Sequence, residues 1–264
     1  MRCGKAHLIE IRNFEDFSIE PVGNMTVLTG KNGAGKTNII EAIYFASVGK
    51  SFRTSNDEEL IRLDKEEGTI LLDFTVRGVT HEIKIKLSRK KGKKILINET
   101  ATKKKDLMGM FRTVLFTPDE LQLIKGAPQN RRRFIDLEIS QVSPRYYEEI
   151  LHYGRAVQQR NAAFKEARFH GFMADVDIWD MQIAKRASYI VKKRMETIEK
   201  MNEIVSSMES FLTDEKESIL IKYRKSGNQE ERFDEEWYLE KLALAREEDS
   251  RFCHTSVGPH RDCL

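Results

Sequence analysis

The chain has 264 residues, 40% hydrophobic and 33% charged, with a formal net charge of +3. That length allows one or two domains with a sizeable core, and no stretch approaches the roughly 18 apolar residues of a membrane-spanning helix. Met1 to His7 lacks the apolar centre of a secretory signal, and three scattered cysteines, Cys3, Cys253 and Cys263, predict reduced thiols in a cytoplasmic protein rather than a disulfide framework.

Residues 6–29 predict three short strands. Ala6 to Ile11 alternates, Phe17 to Glu20 follows, and Met25-Thr26-Val27-Leu28-Thr29 is an apolar, β-branched run suited to a buried strand. Gly30 to Thr37 then reads Gly-Lys-Asn-Gly-Ala-Gly-Lys-Thr, and Asn38 to about Val48 has helical character. Strand, glycine-rich loop and helix in this order is the P-loop arrangement. Backbone N–H groups of Gly30, Lys31, Asn32, Gly33, Ala34 and Gly35 form an anion nest at the positive end of the helix. Lys36 reaches the β and γ phosphates, and the Thr37 hydroxyl holds Mg²⁺. A plain glycine-rich turn before a helix is the alternative; the flanking elements favour nucleotide binding. Gly49 to Thr54 ends the helix as a basic, flexible segment near the phosphate site in sequence.

Residues 68–98 predict an antiparallel meander. Thr69 to Val76 and Val79 to Leu87 are joined by a tight Arg77-Gly78 turn, and Lys93 to Asn98 follows a Lys-Gly turn. His81, Ile83, Ile85 and Leu87 fall on one face, and Glu82, Lys84 and Lys86 on the other. Residues 84–105 hold ten Lys or Arg and one acidic residue, Glu99. Lys90, Lys91, Lys93, Lys94, Lys103, Lys104 and Lys105 are therefore candidate DNA phosphate contacts, against the plainer reading of a solvated face. Thr113 to Thr117 predicts another strand, and Pro118 begins a turn of helix. Arg131, Arg132 and Arg133 open a helix, where cations oppose the helix dipole. That conflict makes them DNA-binding candidates, although they could equally face water or pair with Glu138.

From 128 to 211 the pattern is helical. Val191, Ile198, Val205 and Leu212 recur at seven, with Met201 and Met208 between, which predicts a packed helical bundle with a coiled-coil arm as the alternative. Ser218 to Tyr223 predicts a strand and Phe233 to Arg246 a last helix. Cys253, His254, His260 and Cys263 match no standard zinc spacing.

This ordered set resembles the RecF family of bacterial recombination mediators, among the SMC-like ABC ATPases. The resemblance runs along essentially the whole chain. It is carried by Arg12-Asn13-Phe14, the P-loop with Asn32 and the trailing Asn38 to Ala42, Gly49 to Thr54, Phe116 to Leu121, Lys125-Gly126 through Asp136, and Thr255 to Asp262. It implies an α/β fold: a P-loop ABC-ATPase-type head with an antiparallel β meander and an inserted α-helical lobe. The implied domains are an ATPase lobe at 1–126, a helical lobe at 127–250 and the start of a return to the ATPase lobe at 251–264. It implies ATP and Mg²⁺ at Gly30–Thr37, with Arg12 and Asn13 near the nucleotide. It further implies an ATP-dependent homodimer that binds single-stranded or gapped duplex DNA. With RecO- and RecR-type mediators, that dimer helps load recombinase at gapped or stalled replication sites in SOS-linked repair.

Where the family continues Arg-Asp-Asp-Leu, this chain reads Arg261-Asp262-Cys263-Leu264. Nothing before Leu264 is assignable as the signature motif or the Walker B acidic residues. The chain is therefore expected to be truncated, with weak DNA-stimulated ATPase activity expected of a complete protein and no hydrolysis expected of these residues alone. Two other readings use the same loop: a P-loop kinase of a small acceptor, and a catalytically incomplete interaction fragment.

Overall fold

The computed structural model describes residues 1–172, 174–213, 219–225 and 232–263. They form two units, Met1–Leu115 and Phe116–Leu264.

The first unit is built on a six-stranded antiparallel sheet. Its strands are β1 (Arg2–Ile11), β2 (Phe14–Ile19), β3 (Glu67–Val76), β4 (Val79–Ser88), β5 (Gly92–Ile97) and β6 (Thr100–Thr102), in the order β2-β1-β3-β4-β5-β6. The β3–β4 hairpin pairs without interruption from Val76↔Val79 to Glu67↔Ser88. Its turn holds Arg77 at φ 49° and Gly78 at φ 83°, the two left-handed residues that a two-residue hairpin of this twist requires. Leu8, Ile70, Leu72, Ile83, Ile85, Leu87 and Ile95 are buried on one face. They form one core with Ala42, Phe45 and Ala46 of helix α1 (Lys36–Val48). Each such side chain contributes roughly 2 kcal/mol by burial. The ion pair Lys90–Glu66 is exposed and is worth under about 1 kcal/mol. Burial therefore sets the register, because a slip of one residue would turn the whole apolar set outward.

The runs at 25–29 and 113–117 form no strand, contrary to their β-rich composition. Met25 and Val27 are 82% and 72% exposed, and Val114 and Phe116 are 83% and 86% exposed. Composition favours extended backbone, but a strand exists only where a neighbour completes its hydrogen-bond ladder. No described strand pairs with either run.

The second unit is helical. Short α2 (Lys104–Leu107) belongs to the first unit; α3 (Gln122–Lys125), α4 (Pro128–Val142), α5 (Pro144–His170), α6 (Asp177–Thr213), α7 (Glu235–Leu244) and α8 (Arg246–Phe252) make the second. Ser143 caps α5, its hydroxyl accepting from the Tyr146 N–H at 3.3 Å, with Pro144 next as the preorganised first helical residue. The core joins Ile135, Ile139, Tyr146, Tyr153, Ile183, Ile190, Val191, Trp237 and Leu242. The seven-residue stripe of α6 is buried at Val191 and Ile198, half-buried at Met201 and Val205, and exposed at Met208. The Leu212 side chain lies outside the described residues. The upper part of α6 thus packs as a bundle helix.

The expected last helix is two helices, α7 and α8, meeting at Ala245. The expected strand at 218–223 does not form over its described part, 219–223, and Ser218 lies outside the described residues. The Asn202 amide takes the place of a partner strand. Its Oδ1 accepts from the Ile221 N–H at 2.8 Å and its Nδ2 donates to the Ile221 carbonyl at 2.9 Å. A single antiparallel bridge follows, Arg224↔Cys263.

Candidate functional site

The glycine-rich loop has the backbone that an anion nest requires. Gly30, Gly33 and Gly35 have φ of 149°, 83° and 100°, values that favour glycine. Gly35 is constrained twice, since a Cβ there would lie 2.5 Å from Cζ of Phe14 and 2.8 Å from the Asn13 amide. Helix α1 starts at Lys36 with no acidic residue in its first turn, so its positive end is uncompensated. The Gly35 carbonyl accepts from the N–H groups of Asn38 and Ile39 at 2.9 and 3.1 Å. Thr37 is exposed on that first turn. Lys36 folds back over the loop, its ammonium donating to the carbonyls of Gly30 at 2.7 Å and Lys31 at 2.9 Å. The donor set fits a polyphosphate: a flexible cation, a helix N-terminus and a side-chain hydroxyl converge on open backbone.

Beside the loop lies a buried ionic cluster. Glu41, on α1, is 1% exposed. Arg12 grips it with Nε at 3.0 Å and Nη2 at 2.7 Å. Ser51 donates to it at 2.5 Å and Arg53 at 3.1 Å. Burial pushes the Glu41 pKa up, but hydrogen bonds from Arg12 and Ser51 and both guanidinium charges outweigh it, so the carboxyl sits below its usual range. Arg12 also donates from Nη1 to the Glu59 carbonyl at 2.7 Å. Of the two residues expected near the nucleotide, Asn13 reaches the loop: its Nδ2 is 3.4 Å from the Ala34 carbonyl, and its Oδ1 accepts from Asn38 at 2.8 Å. Arg12 is committed to Glu41. Arg53 bridges outward to the Asn38 side-chain oxygen at 2.7 Å.

Arg12, Asn13, Asn38, Arg53, Glu59 and Arg89 line a cleft of about 500 Å³ together with the apolar Ile61 and Leu63. The site residues read from sequence left out Asn38, Glu41, Ser51, Arg53, Glu59, Arg89 and the two apolar residues. One signal was available for Glu41, which is the only charged residue between Lys36 and Lys50. The contacts of Ile61, Leu63 and Arg89 depend on chain separation that no local pattern encodes.

The basic candidates divide by what each side chain touches. Lys93 turns inward to pair with Asp57 and sits over the Phe45 ring at 4.9 Å. Lys90 is exposed and pairs with Glu66 at 3.1 Å. Lys91, Lys94 and Lys103 are exposed, as is Lys105, and Lys104 is half-buried. Lys94 stands opposite Lys86 across the β4–β5 pair, two like charges on the solvent side of the sheet. In the second unit, Arg131 donates to the carbonyls of Leu123 at 2.9 Å and Gly126 at 3.0 Å. Its cation thus meets the carbonyl end of α3, which offsets the unfavourable position at the start of α4. Arg132 donates to the Asp262 carbonyl. Arg133 is exposed. Two of the three arginines are thus engaged with the fold itself.

Comparison with known proteins identifies the family. A family profile described as an AAA domain matches residues 5–249. The chain is 37% identical over 258 residues to the DNA replication and repair protein RecF of Clostridium beijerinckii, covering 97% of this chain and 70% of that protein. It is 36% identical over 261 residues to the RecF of Lachnospira eligens, with the same coverage. Among solved structures, a recombination mediator protein RecF with ATP, from the RecFOR pathway, superposes with a TM-score of 0.92 at 26% identity. That match covers 99% of this chain and 72% of the other. No helix among the described residues is long and apolar enough to cross a membrane. Matched along 97% of its length in sequence and 99% in structure, the chain belongs to the RecF family of DNA replication and repair proteins.

Proposed function

We propose that this chain binds ATP with Mg²⁺ at Gly30–Thr37 and acts on DNA as a RecF-type repair protein. One observation carries the reading: an uncompensated helix N-terminus, three left-handed glycines and the Lys36 ammonium converge on one open loop. Lys36 exchanges the carbonyls of Gly30 and Lys31 for phosphate oxygens. Thr37 is the hydroxyl available to Mg²⁺, which supplies charge neutralisation of the phosphates when bound. The neighbouring cleft, with Asn13 and Asn38 as polar groups and Ile61 and Leu63 as apolar walls, suits the rest of a nucleotide. The partners in this reading are a second copy of the chain, joined to it in an ATP-dependent homodimer, and RecO- and RecR-type mediators. The site of action is gapped or stalled replication DNA.

Titration with a fluorescent ATP analogue in the presence of Mg²⁺ tests the site. Lys36→Ala is expected to weaken binding at least about tenfold, the range for a hydrogen bond to a charged group. Equal affinity in the two proteins would overturn the assignment. DNA contact has a separate check. Neutralising Lys91, Lys94 and Arg133 together should lower the slope of log affinity against log salt by about 0.9 for each duplex phosphate that the variant no longer neutralises. An unchanged slope would assign these cations to solvent.

A further inference from the structure

We propose that Glu41 is a positioning residue of the nucleotide site: acting through Arg53, Asn38 and Asn13, it braces the phosphate loop from outside. The inference rests on the nucleotide reading above and adds to it how the loop keeps its shape once ATP is bound. Asn38 and Glu41 lie three residues apart on α1 and so share a face. The Nη1 of Arg53 reaches both, Glu41 Oε2 at 3.1 Å and Asn38 Oδ1 at 2.7 Å. Asn38 Nδ2 donates to Asn13 Oδ1 at 2.8 Å, and Asn13 Nδ2 donates to the Ala34 carbonyl at 3.4 Å. The Asn13 amide also fills the space that a side chain on Gly35 would need.

This relay has one direction. A guanidinium only donates, and an ionised carboxylate only accepts. Arg53 therefore takes the oxygen of Asn38, which turns the Asn38 NH₂ to Asn13 and leaves the Asn13 NH₂ for the loop carbonyl. Neither amide can flip without losing its bonds on both sides. Glu41 also sets the backbone of Arg53. Its Oε1 accepts from the Ser51 hydroxyl, whose oxygen accepts from the N–H groups of Arg53 at 2.9 Å and Thr54 at 3.2 Å. One buried carboxylate thus fixes the guanidinium from which the relay starts.

The brace matters most when ATP is bound. Gly30 to Ala34 are exposed. The bonds from Lys36 to the Gly30 and Lys31 carbonyls are the ones that its ammonium gives up for phosphate oxygens. The bond from Asn13 uses a loop carbonyl and none of the N–H groups that a phosphate needs, so it persists when Lys36 moves. A loop already held in its bound shape leaves less ordering to oppose binding.

The test titrates the whole chain with a fluorescent ATP analogue and Mg²⁺. Asn13→Ala and Arg53→Met should each weaken binding about fivefold, the range of one hydrogen bond. Because they cut one relay, the double variant should be no weaker than either single. Glu41→Gln should show the same loss alone and none further in the Asn13→Ala background, although urea denaturation finds both proteins less stable. Arg53→Met keeps the test open if Glu41→Gln does not fold, since it leaves Arg12 on Glu41. Losses that multiply to about twenty-fivefold in the double variant would make the two side chains independent and overturn the relay. Unchanged affinity in Asn13→Ala, with Lys36→Ala still weakened, overturns the relay and leaves the phosphate loop in place. Equal affinity of wild type and Lys36→Ala overturns both.

Discussion

Arg160→Met is expected to destabilise the helical unit by about 3–5 kcal/mol, because it removes one partner of a buried ion cluster. Arg160 has no exposed surface, and Asp180 and Asp249 are 2% and 1% exposed. Its Nε donates to Asp180 at 2.6 Å, its Nη1 to Asp249 and to the Thr255 hydroxyl, and its Nη2 to the Leu242 carbonyl at 3.4 Å. One guanidinium therefore ties α5 to α6, α7, α8 and the segment after α8. Methionine fills similar volume but leaves the carboxylates short of positive charge. Asp180 retains Arg246 at 2.9 Å, and Asp249 retains the Ser256 N–H at 3.0 Å. Asp249 thus loses its cation altogether. Adding Asp249→Asn to Arg160→Met should recover part of the loss, since the neutral amide is cheaper to bury unpaired. Urea denaturation followed by circular dichroism measures both. A loss below about 1 kcal/mol in the single variant would mean that water reaches the cluster and the burial argument fails.

Acid should weaken the protein well above the usual carboxylate range, through His260. Burial pushes its pKa down to about 4, and the nearby Arg261, His254 and Arg132 push the same way against the favourable Thr255 hydrogen bond. Its Nε2 donates to the Thr255 carbonyl at 3.0 Å, and its Nδ1 shares a hydrogen bond with the Tyr153 hydroxyl. The neutral ring fills both roles if Tyr153 donates, and protonation would turn Nδ1 into a donor as well. The unfolded ring takes its proton near pH 6.5 and the folded ring near pH 4, so the unfolded state holds more protons between those values. Stability from this group is complete above pH 6.5 and falls as pH drops towards 4. Between pH 7 and pH 5 the expected loss is about 2 kcal/mol. His260→Gln, which keeps a polar side chain and cannot titrate, should be less stable at pH 7 and nearly flat across that range. A wild-type profile as flat as the variant's would show that His260 is solvated. Glu41 acts lower on the scale. Its depressed pKa holds stability above the ordinary carboxylate range and releases it only as pH falls through the lowered value.

Much of the site is legible in the sequence. The spacing of Gly30, Gly33, Gly35, Lys36 and Thr37 and the start of α1 are consequences of local backbone chemistry, and they stand where that chemistry puts them. The meander is equally local: alternation over Thr69–Val76 and Val79–Leu87 with an Arg-Gly turn between them specifies one register. The strands that do not form share one cause. Residues 25–29, 113–117 and 219–223 have strand composition, but whether an extended run becomes a strand depends on a partner elsewhere. Two of these runs lack one among the described residues, and the third has its backbone taken by Asn202.

Charge is the least legible property. Ten cations in residues 84–105 look alike in sequence, yet Lys93 is engaged with Asp57 while Lys94 faces water. Arg131, Arg132 and Arg133 are adjacent, yet the first two bond carbonyls of α3's end and of Asp262 while the third is exposed. The sequence by itself determined the phosphate loop, the β3–β4 hairpin and the helical character of the second unit, because turn chemistry and side-chain period act over a few residues. Tertiary structure alone decided that Glu41 gathers Arg12, Ser51 and Arg53 beside that loop, that Arg160 holds two buried carboxylates, and which cations are left for a ligand. The energy of a charge depends on what surrounds it in space, and Asp249, which pairs with Arg160, lies 89 positions away from it along the chain.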